Sequence, residues 1–498
     1  MKNLKNLFLI FGVFAGVVAC NDAIEIDQPG RLDADAAFQT VDDLRDGLFG
    51  VYDQFDLSPD IAFQSIFTDE LAIGFDNGGQ GLADYGFVLN AGSTAPATFW
   101  TNGYDQLNAA SRLIEAAEIV EPEAGEQATY NQVLGEAHAL RAWAHFMMLS
   151  YFSTDYTDDN ALSIINLDFV PTIDQQLLRN TNGETFEVIE SDLARAKSLI
   201  TQDNGVTRIN QDFITALEAR IAAYRGDYTT AASLSQQLID KYDLATRAEY
   251  EAMFLDESDG EVIFKLERTN NDSYDGQGAT GSPAAGGWAG ARFAFVDATL
   301  SGSPYFEMGR SLFNLLDPAD VRYDVMVAPT SVIDPDYANG VGGQDNDILV
   351  IQKYPGSEGQ PLMNDLKVFR VSEMYLIRAE AAVGGPQPDL ALAARLIQDI
   401  RDARLGTTGT APSFGSATEA WAAILDERRV ELAFEGHRYF DLKRLGSLAN
   451  QGVLKDPVDC AFNGACSLSA DDYRFTLPLP IVEFNANPGL REQQNPGY

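Results

Sequence analysis

Three glutamates at four-residue intervals, Glu427, Glu431 and Glu435, stand in the segment Ile424 to Gly446, ILDERRVELAFEGHRYFDLKRLG. On one helix they would form a single acidic stripe, and like charges at that spacing repel. The stripe therefore demands cations. Arg428, Arg429, Arg438 and Lys443 lie within the segment, while Arg141, Arg220, Arg378 and Arg401 on other apolar segments offer planar guanidinium partners. Leu425, Leu432, Phe434, Phe440, Leu442 and Leu445 are too many large apolar groups for a solvated face. The spacing predicts a partly buried ion-pair lattice, a structural use of charge; an exposed helix with ordinary surface pairs is the alternative.

Residues arranged for catalysis are harder to find. The three histidines, His138, His145 and His437, show no HExxH and no i,i+4 metal spacing. Neither a G-x-S-x-G elbow nor a phosphate-cradling G-K-[ST] occurs. A glycosidase needs two carboxylates at a set separation, which so acidic a chain always offers on paper. Asp155, Asp158, Asp159 and Asp168 have the ligand type for calcium, but solvated loop acids account for them equally. The expectation is a binding protein, not an enzyme, with no cofactor and no bound metal.

Aromatic faces in loops, beside amides and carboxylates, are the groups that would meet a polar ligand. Of four tryptophans, Trp143 and Trp421 fall within periodic helical stretches and read as core. Trp288 sits in Gly-Gly-Trp-Ala-Gly, where its neighbours are too small to bury it locally; a core anchor reached by loop folding is the competing account. Trp100 follows a loop carrying Asp76, Asn77 and Tyr85, and packing suits it equally. Tyr274, Asn270 and Asn271 complete this set of loop residues.

The elements that must position these groups are mostly helical. Apolar periodicity predicts helices opening at Thr40 and running over about 104–120, 131–152 and 185–200. Residues 213–224 and 229–239, split by Gly226-Asp227, form a helix pair resembling a tetratricopeptide unit, echoed at 371–383 and 390–404. Residues 270–290 are rich in Gly, Ser, Asn and Asp, with short strands expected at 261–268 and 348–352. Loops on rigid scaffolds are where binding groups usually sit. With 498 residues, 45% of them hydrophobic, the chain can bury a large core. A net charge of -40 excludes nucleic acid as a partner and leans toward a neutral ligand.

The beginning of the chain supplies an address. Lys2 and Lys5 precede an apolar run from Leu7 to Ala19, too short to span a bilayer and fitted to a secretory signal over residues 1–19. Val17-Val18-Ala19-Cys20 looks like a lipobox, so Cys20 would become the acylated first residue, followed by a tether over 20–35 that reaches roughly 50 Å when extended. Cys460 and Cys466 flank a five-residue turn and are expected to form a disulfide, two free thiols being the alternative.

The string ERRVELAFEGHRYFDLKRLG resembles the signature of the SusD/RagB family, outer-membrane nutrient-binding lipoproteins of Bacteroidota. The resemblance continues in order through Gly135-Glu136-Ala137, Leu140-Arg141-Ala142, Glu261-Val262-Ile263-Phe264, Lys353-Tyr354, the run from Arg370 to Ala381, and the tail Gln494-Asn495-Pro496-Gly497-Tyr498. Asp399 before Ile400-Arg401 departs from the usual pattern without consequence for the fold. Asn21, Asp22, Glu25 and Asp27 resemble the acidic signal that exports such lipoproteins to the outer face of the outer membrane. The resemblance implies one mostly α domain over 36–498: helical to about 260, loop-rich over 261–365, helical again to the end. It also implies capture of oligosaccharides for a SusC-like TonB-dependent transporter, which makes Trp288, Trp100, Tyr85, Tyr274, Asp76, Asn77, Asn270 and Asn271 the expected glycan-binding platform. Some relatives take oligopeptides, which stays open as the second ligand class, as does a scaffold that binds proteins alone.

Overall fold

The computed structural model describes residues 37–74, 77–172, 174–269, 288–290, 304–339 and 346–498. The signal segment, Cys20 and the tether lie outside the described residues, as do Asp76, Asn270, Asn271 and Tyr274.

Helix α1 (Val41–Asp53) begins where its sequence says it should. Thr40 accepts from the Asp43 N–H and the Asp43 carboxylate accepts from the Thr40 N–H, a capping box that satisfies two otherwise orphaned donors. Val41, Leu44, Leu48 and Val51 then share its buried face. After α2 (Ser58–Phe67) and strand β1 (Leu71–Ile73) come the long α3 (Thr94–Ala117) and α4 (Gln127–Phe152). Helix α3 starts ten residues before the predicted point, because Ser93 and Pro96 open it and bring Phe99 and Trp100 onto its buried face. Helix α4 is buried nearly all round and packs between α3 and α5 (Asn182–Leu199).

The antiparallel pair α6 (Gln211–Tyr224) and α7 (Tyr228–Ile239) follows, then α8 (Arg247–Phe254) and strand β2 (Val262–Leu266). Strand β3 (Phe306–Met308) pairs antiparallel with β1. Helix α9 (Val321–Met326) leads to β4 (Leu366–Arg370), which pairs antiparallel with β2. Residues 348–351 form isolated bridges to Val327 and Val332 rather than the predicted strand. A second helix pair, α10 (Val371–Gly384) and α11 (Leu390–Leu405), packs on the first: a Cβ at Gly384 would lie 2.3 Å from the Tyr228 ring, so only glycine permits this approach of α10 to α7. Helices α12 (Ala417–Glu431) and α13 (Arg438–Ala449) and a short hairpin, β5 (Val453–Leu454) with β6 (Ser467–Leu468), complete the mostly helical fold. One continuous apolar core runs from Val41 to Leu490.

The acidic segment is not one helix. Helix α12 stops at Glu431, Phe434 and Gly436 take left-handed φ values of 60° and 81°, and α13 starts afresh at Arg438. Glu435 therefore sits in the turn, where it reaches the same cation as Glu431. That cation is Arg370, at the end of β4 and only 2% exposed. It donates from Nη1 to Glu261 at 2.6 Å and Glu431 at 2.7 Å, and from Nε and Nη2 to Glu435 at 2.9 and 2.8 Å. The β2–β4 register sets Val262 opposite Arg370, which brings Glu261 alongside. Arg404 bridges Glu431 and Glu261 over the face of the Tyr250 ring. Arg322 joins Asp320, Glu427 and Glu431; Arg401 pairs with Glu427, and Lys353 with Glu435. Acids and bases balance in this set, so no net charge is left without water.

The cations of the segment itself go elsewhere. Arg428 pairs with Asp441 and Glu380, while Arg429 and Arg438 share Asp69. Lys443 donates to the carbonyls of Ser150 and Ser153. Arg141 is bidentate to Asp192, which also binds His138, and Arg220 is bidentate to Glu373. Arg378 reaches only the Gln236 amide oxygen, at 3.4 Å.

Burial alone would raise the Glu435 pKa, but Arg370 and Lys353 hold it down at about 2. Glu431 is likewise buried and pulled well below its ordinary value by Arg404 and Arg370. Removing one partner of such a set strands the others. Glu431→Ala should cost about 3–5 kcal/mol in urea unfolding, whereas Arg378→Ala should stay within about 0.5 kcal/mol. A depressed carboxylate stabilises the fold above its unfolded pKa near 4.3, and that contribution is lost as pH falls toward 2. His145 and His437, which burial keeps neutral down to about pH 4, add to the loss once pH falls below about 6.5. Melting temperature should therefore drop steeply between about pH 4.5 and 2, and Glu435→Gln should make that limb shallower.

Candidate ligand-binding cleft

Four of the sequence-derived glycan contacts can be placed, and none presents an open face. Asn77 is 3% exposed; its amide donates to the Tyr305 carbonyl at 2.9 Å, tying the loop after β1 to the point where the 270–303 insertion returns. Tyr85 is fully buried, with its hydroxyl on the Asp459 carbonyl, the Lys455 ammonium 3.5 Å from its ring centre and Phe462 stacked at 5.9 Å. Trp100 donates from Nε1 to Glu483 at 2.9 Å and is 2% exposed. Trp288 is 4% exposed. These side chains do not build an exposed aromatic platform, because segments distant in sequence cover the rings: residues 455–462 lie over Tyr85, and Glu483 closes over Trp100.

A large hollow opens elsewhere, between the ends of α12 and α13 and the β5–β6 hairpin, with a volume of about 1150 Å³. That exceeds the ~300–1,000 Å³ of ordinary small-molecule pockets. Local chain geometry creates it. Asn450, at φ 54°, ends α13 with a left-handed cap and turns the chain outward. Gly452 then lets the hairpin close, since a Cβ there would lie 2.2 Å from the Leu468 carbonyl oxygen. Beyond β5 the Cys460–Cys466 disulfide fastens the loop, and the Lys455 N–H donates to the Cys466 carbonyl at 2.9 Å.

The cleft floor is ionic. Asp69, 1% exposed, accepts from Arg438 Nε at 2.9 Å and Nη2 at 3.0 Å and from the Leu454 N–H at 3.2 Å. Arg429 Nε lies 3.4 Å from the same carboxylate, and its Nη2 donates to the Asp69 carbonyl and, at 2.7 Å, to Ser311. Burial would raise the Asp69 pKa, yet the two arginines hold it near 2. The walls carry amides, hydroxyls and carboxylates, among them Asn450, Gln451, Ser469 and Asp426. Such groups suit the hydroxyls of a carbohydrate. Glu70 and Asp459, whose carboxyls burial raises to about 7, do not line the cleft. Among the described residues no cluster of three His, Cys, Asp or Glu could hold a metal ion, Asp155, Asp158, Asp159 and Asp168 included. No helix of the described residues is long and apolar enough to cross a membrane.

Residues 330–498 match a family model described as the SusD family, and residues 82–222 match one described as starch-binding, associating with outer membrane. A relative named SusD-like protein P2, from Formosa agariphila, is 24% identical over 535 residues, covering 100% of both chains. The fold superimposes on a SusD superfamily protein from Bacteroides thetaiotaomicron with a TM-score of 0.73 at 24% identity, covering 92% of this chain and 100% of the other. A solved structure titled as a laminarin binding SusD-like protein gives 0.67 at 22% identity, covering 93% and 100%. With family models matching both its N-terminal and C-terminal parts and a relative aligned from end to end, the chain belongs to the SusD/RagB family.

Proposed function

We propose that this chain is a glycan-binding lipoprotein of the outer membrane. In this reading it is anchored through Cys20, faces the exterior, and captures oligosaccharide for a SusC-like TonB-dependent transporter. The observation that carries the binding half is the cleft itself, about 1150 Å³ and walled by hydrogen-bonding side chains. Family membership supports the reading, as does the laminarin named for one structural relative. The secretory signal and the lipobox before Cys20 support the location, and the tether over 20–35 leaves slack for a cover that opens and closes over a pore. The reading is binding without turnover: the buried acid of the floor, Asp69, is held ionised by two arginines and has no proton to give near neutrality.

Affinity electrophoresis of the mature chain in gels cast with neutral and acidic polysaccharides should show retardation in at least one. No release of reducing ends should accompany it. Retention of a peptide digest with no glycan bound, or sugar cleavage, would replace the reading. Gln451→Ala combined with Ser469→Ala, both on the cleft wall, should weaken binding about tenfold, or ~1.4 kcal/mol, at unchanged melting temperature. In cells, Cys20→Ala should move the protein from the membrane fraction to the soluble fraction; a variant that stays membrane-bound would refute the lipid anchor.

A further inference from the structure

The cleft floor contains more cationic hydrogen-bonding capacity than the chain uses. Arg429 and Arg438 share the single carboxylate of Asp69, although each is more than nine-tenths buried. Arg438 satisfies Nε and Nη2 on Asp69, but its buried Nη1 has no hydrogen-bond partner. Arg429 donates only from Nη2; its Nε makes no hydrogen bond. The buried lattice around Arg370 is the useful contrast, since acids and bases there balance and each guanidinium is met by carboxylates.

Nearby acids do not remove the surplus. Glu70 spends its carboxylate oxygens on Ser65 and the Phe434 N–H. Asp426 stands on the cleft wall, half-buried, and accepts from Gln451 at 3.2 Å. Burial lowers the Arg429 pKa and Arg438 lowers it further, while Asp69, Glu70 and Asp426 offset this only in part; Arg438 itself, despite its own burial, is held above its ordinary value, chiefly by Asp69. Two arginines and four carboxylates line the cleft, beside Lys455, whose ammonium turns away onto the Tyr85 carbonyl.

We propose that the cleft takes an oligosaccharide bearing carboxylate or sulfate groups, with one such group seated on Arg429 and Arg438 and the sugar hydroxyls on Asp426, Asn450 and Gln451. Guanidinium forks match both anions bidentately, and the wall carboxylates accept from the neutral hydroxyls of the same sugar. The inference rests on the glycan-binding reading and narrows its ligand class.

The test is calorimetry on the mature chain with oligogalacturonate, a sulfated galactan oligosaccharide, a laminarin oligosaccharide and sodium sulfate alone. The acidic oligosaccharides should bind at least tenfold more tightly than the neutral one, weaken as salt is raised, and be displaced by sulfate. The two acidic arms identify which anion is preferred. Arg429→Gln should abolish that preference, bringing the acidic oligosaccharides down to the affinity of the neutral one, and Arg429→Lys, which keeps charge and loses the fork, should fall between. Should Arg429→Gln unfold, the salt and sulfate competition of the unaltered protein decides the matter. Laminarin bound as tightly as the acidic sugars, or acidic binding indifferent to salt and sulfate, overturns this inference while sparing the glycan reading; no glycan bound at all overturns that reading instead.

Discussion

Arg370 is the constraint around which the rest of the chain is arranged. Its guanidinium is held by Glu261 from the start of β2, Glu431 from the end of α12 and Glu435 from the following turn. Glu261 stands 109 residues from Arg370 in sequence and Glu431 and Glu435 stand 61 and 65 from it, and the charge has no access to water. Burying an ion costs several kcal/mol, recovered only when the geometry of its partners is met in full. Every element that contributes a carboxylate is therefore held to a narrow position. The α12–α13 turn is the clearest example: Phe434 accepts a left-handed backbone that a large side chain resists, and in return Glu435 meets Arg370 and Lys353.

The same turn links the lattice to the cleft. Arg428 and Arg429 are neighbours on α12 and point to different acids, Asp441 inside the core and Asp69 at the cleft floor. Asp69 lies two residues before β1, whose other end carries the loop fixed by Asn77 to Tyr305. Scaffold, floor and loop anchor are thus joined by short hydrogen-bonded steps. A ligand seated in the cleft meets groups whose positions are already decided, which limits the ordering cost of binding.

Much of the helical frame was legible in the residues. Capping at Thr40, the Gly-Asp break before Tyr228 and the periodicity of Gln127–Phe152 are local signals, and the elements follow them. The acidic segment shows where such reading stops. The four-residue spacing predicted one stripe on one helix, yet Gly436 breaks the helix; Arg401 does reach Glu427 as expected, but Arg322, Arg370, Arg404 and Lys353 join it unannounced from other segments. Spacing reports which groups need partners and not who supplies them. Two aromatic candidates are covered for the same reason: Tyr85 and Trp100 stand in polar, loop-like surroundings, and their covers come from more than 350 residues away. The cleft left no sequence signal beyond the Asn450-Gln451-Gly452 turn, because its walls come from three separate stretches.

The interior is electrically even-handed: among the described residues fourteen lysines and arginines are buried, and fourteen aspartates and glutamates with them. The whole imbalance of -40 is consequently carried by everything outside that set. What neighbouring molecules meet is a skin far more acidic than the composition suggests, since a large part of the chain's basic side chains is spent inward. Such a coat keeps copies apart through mutual repulsion at low ionic strength and draws mobile cations around itself. Crowding of many copies on one surface should be governed by the salt between them as much as by their shape.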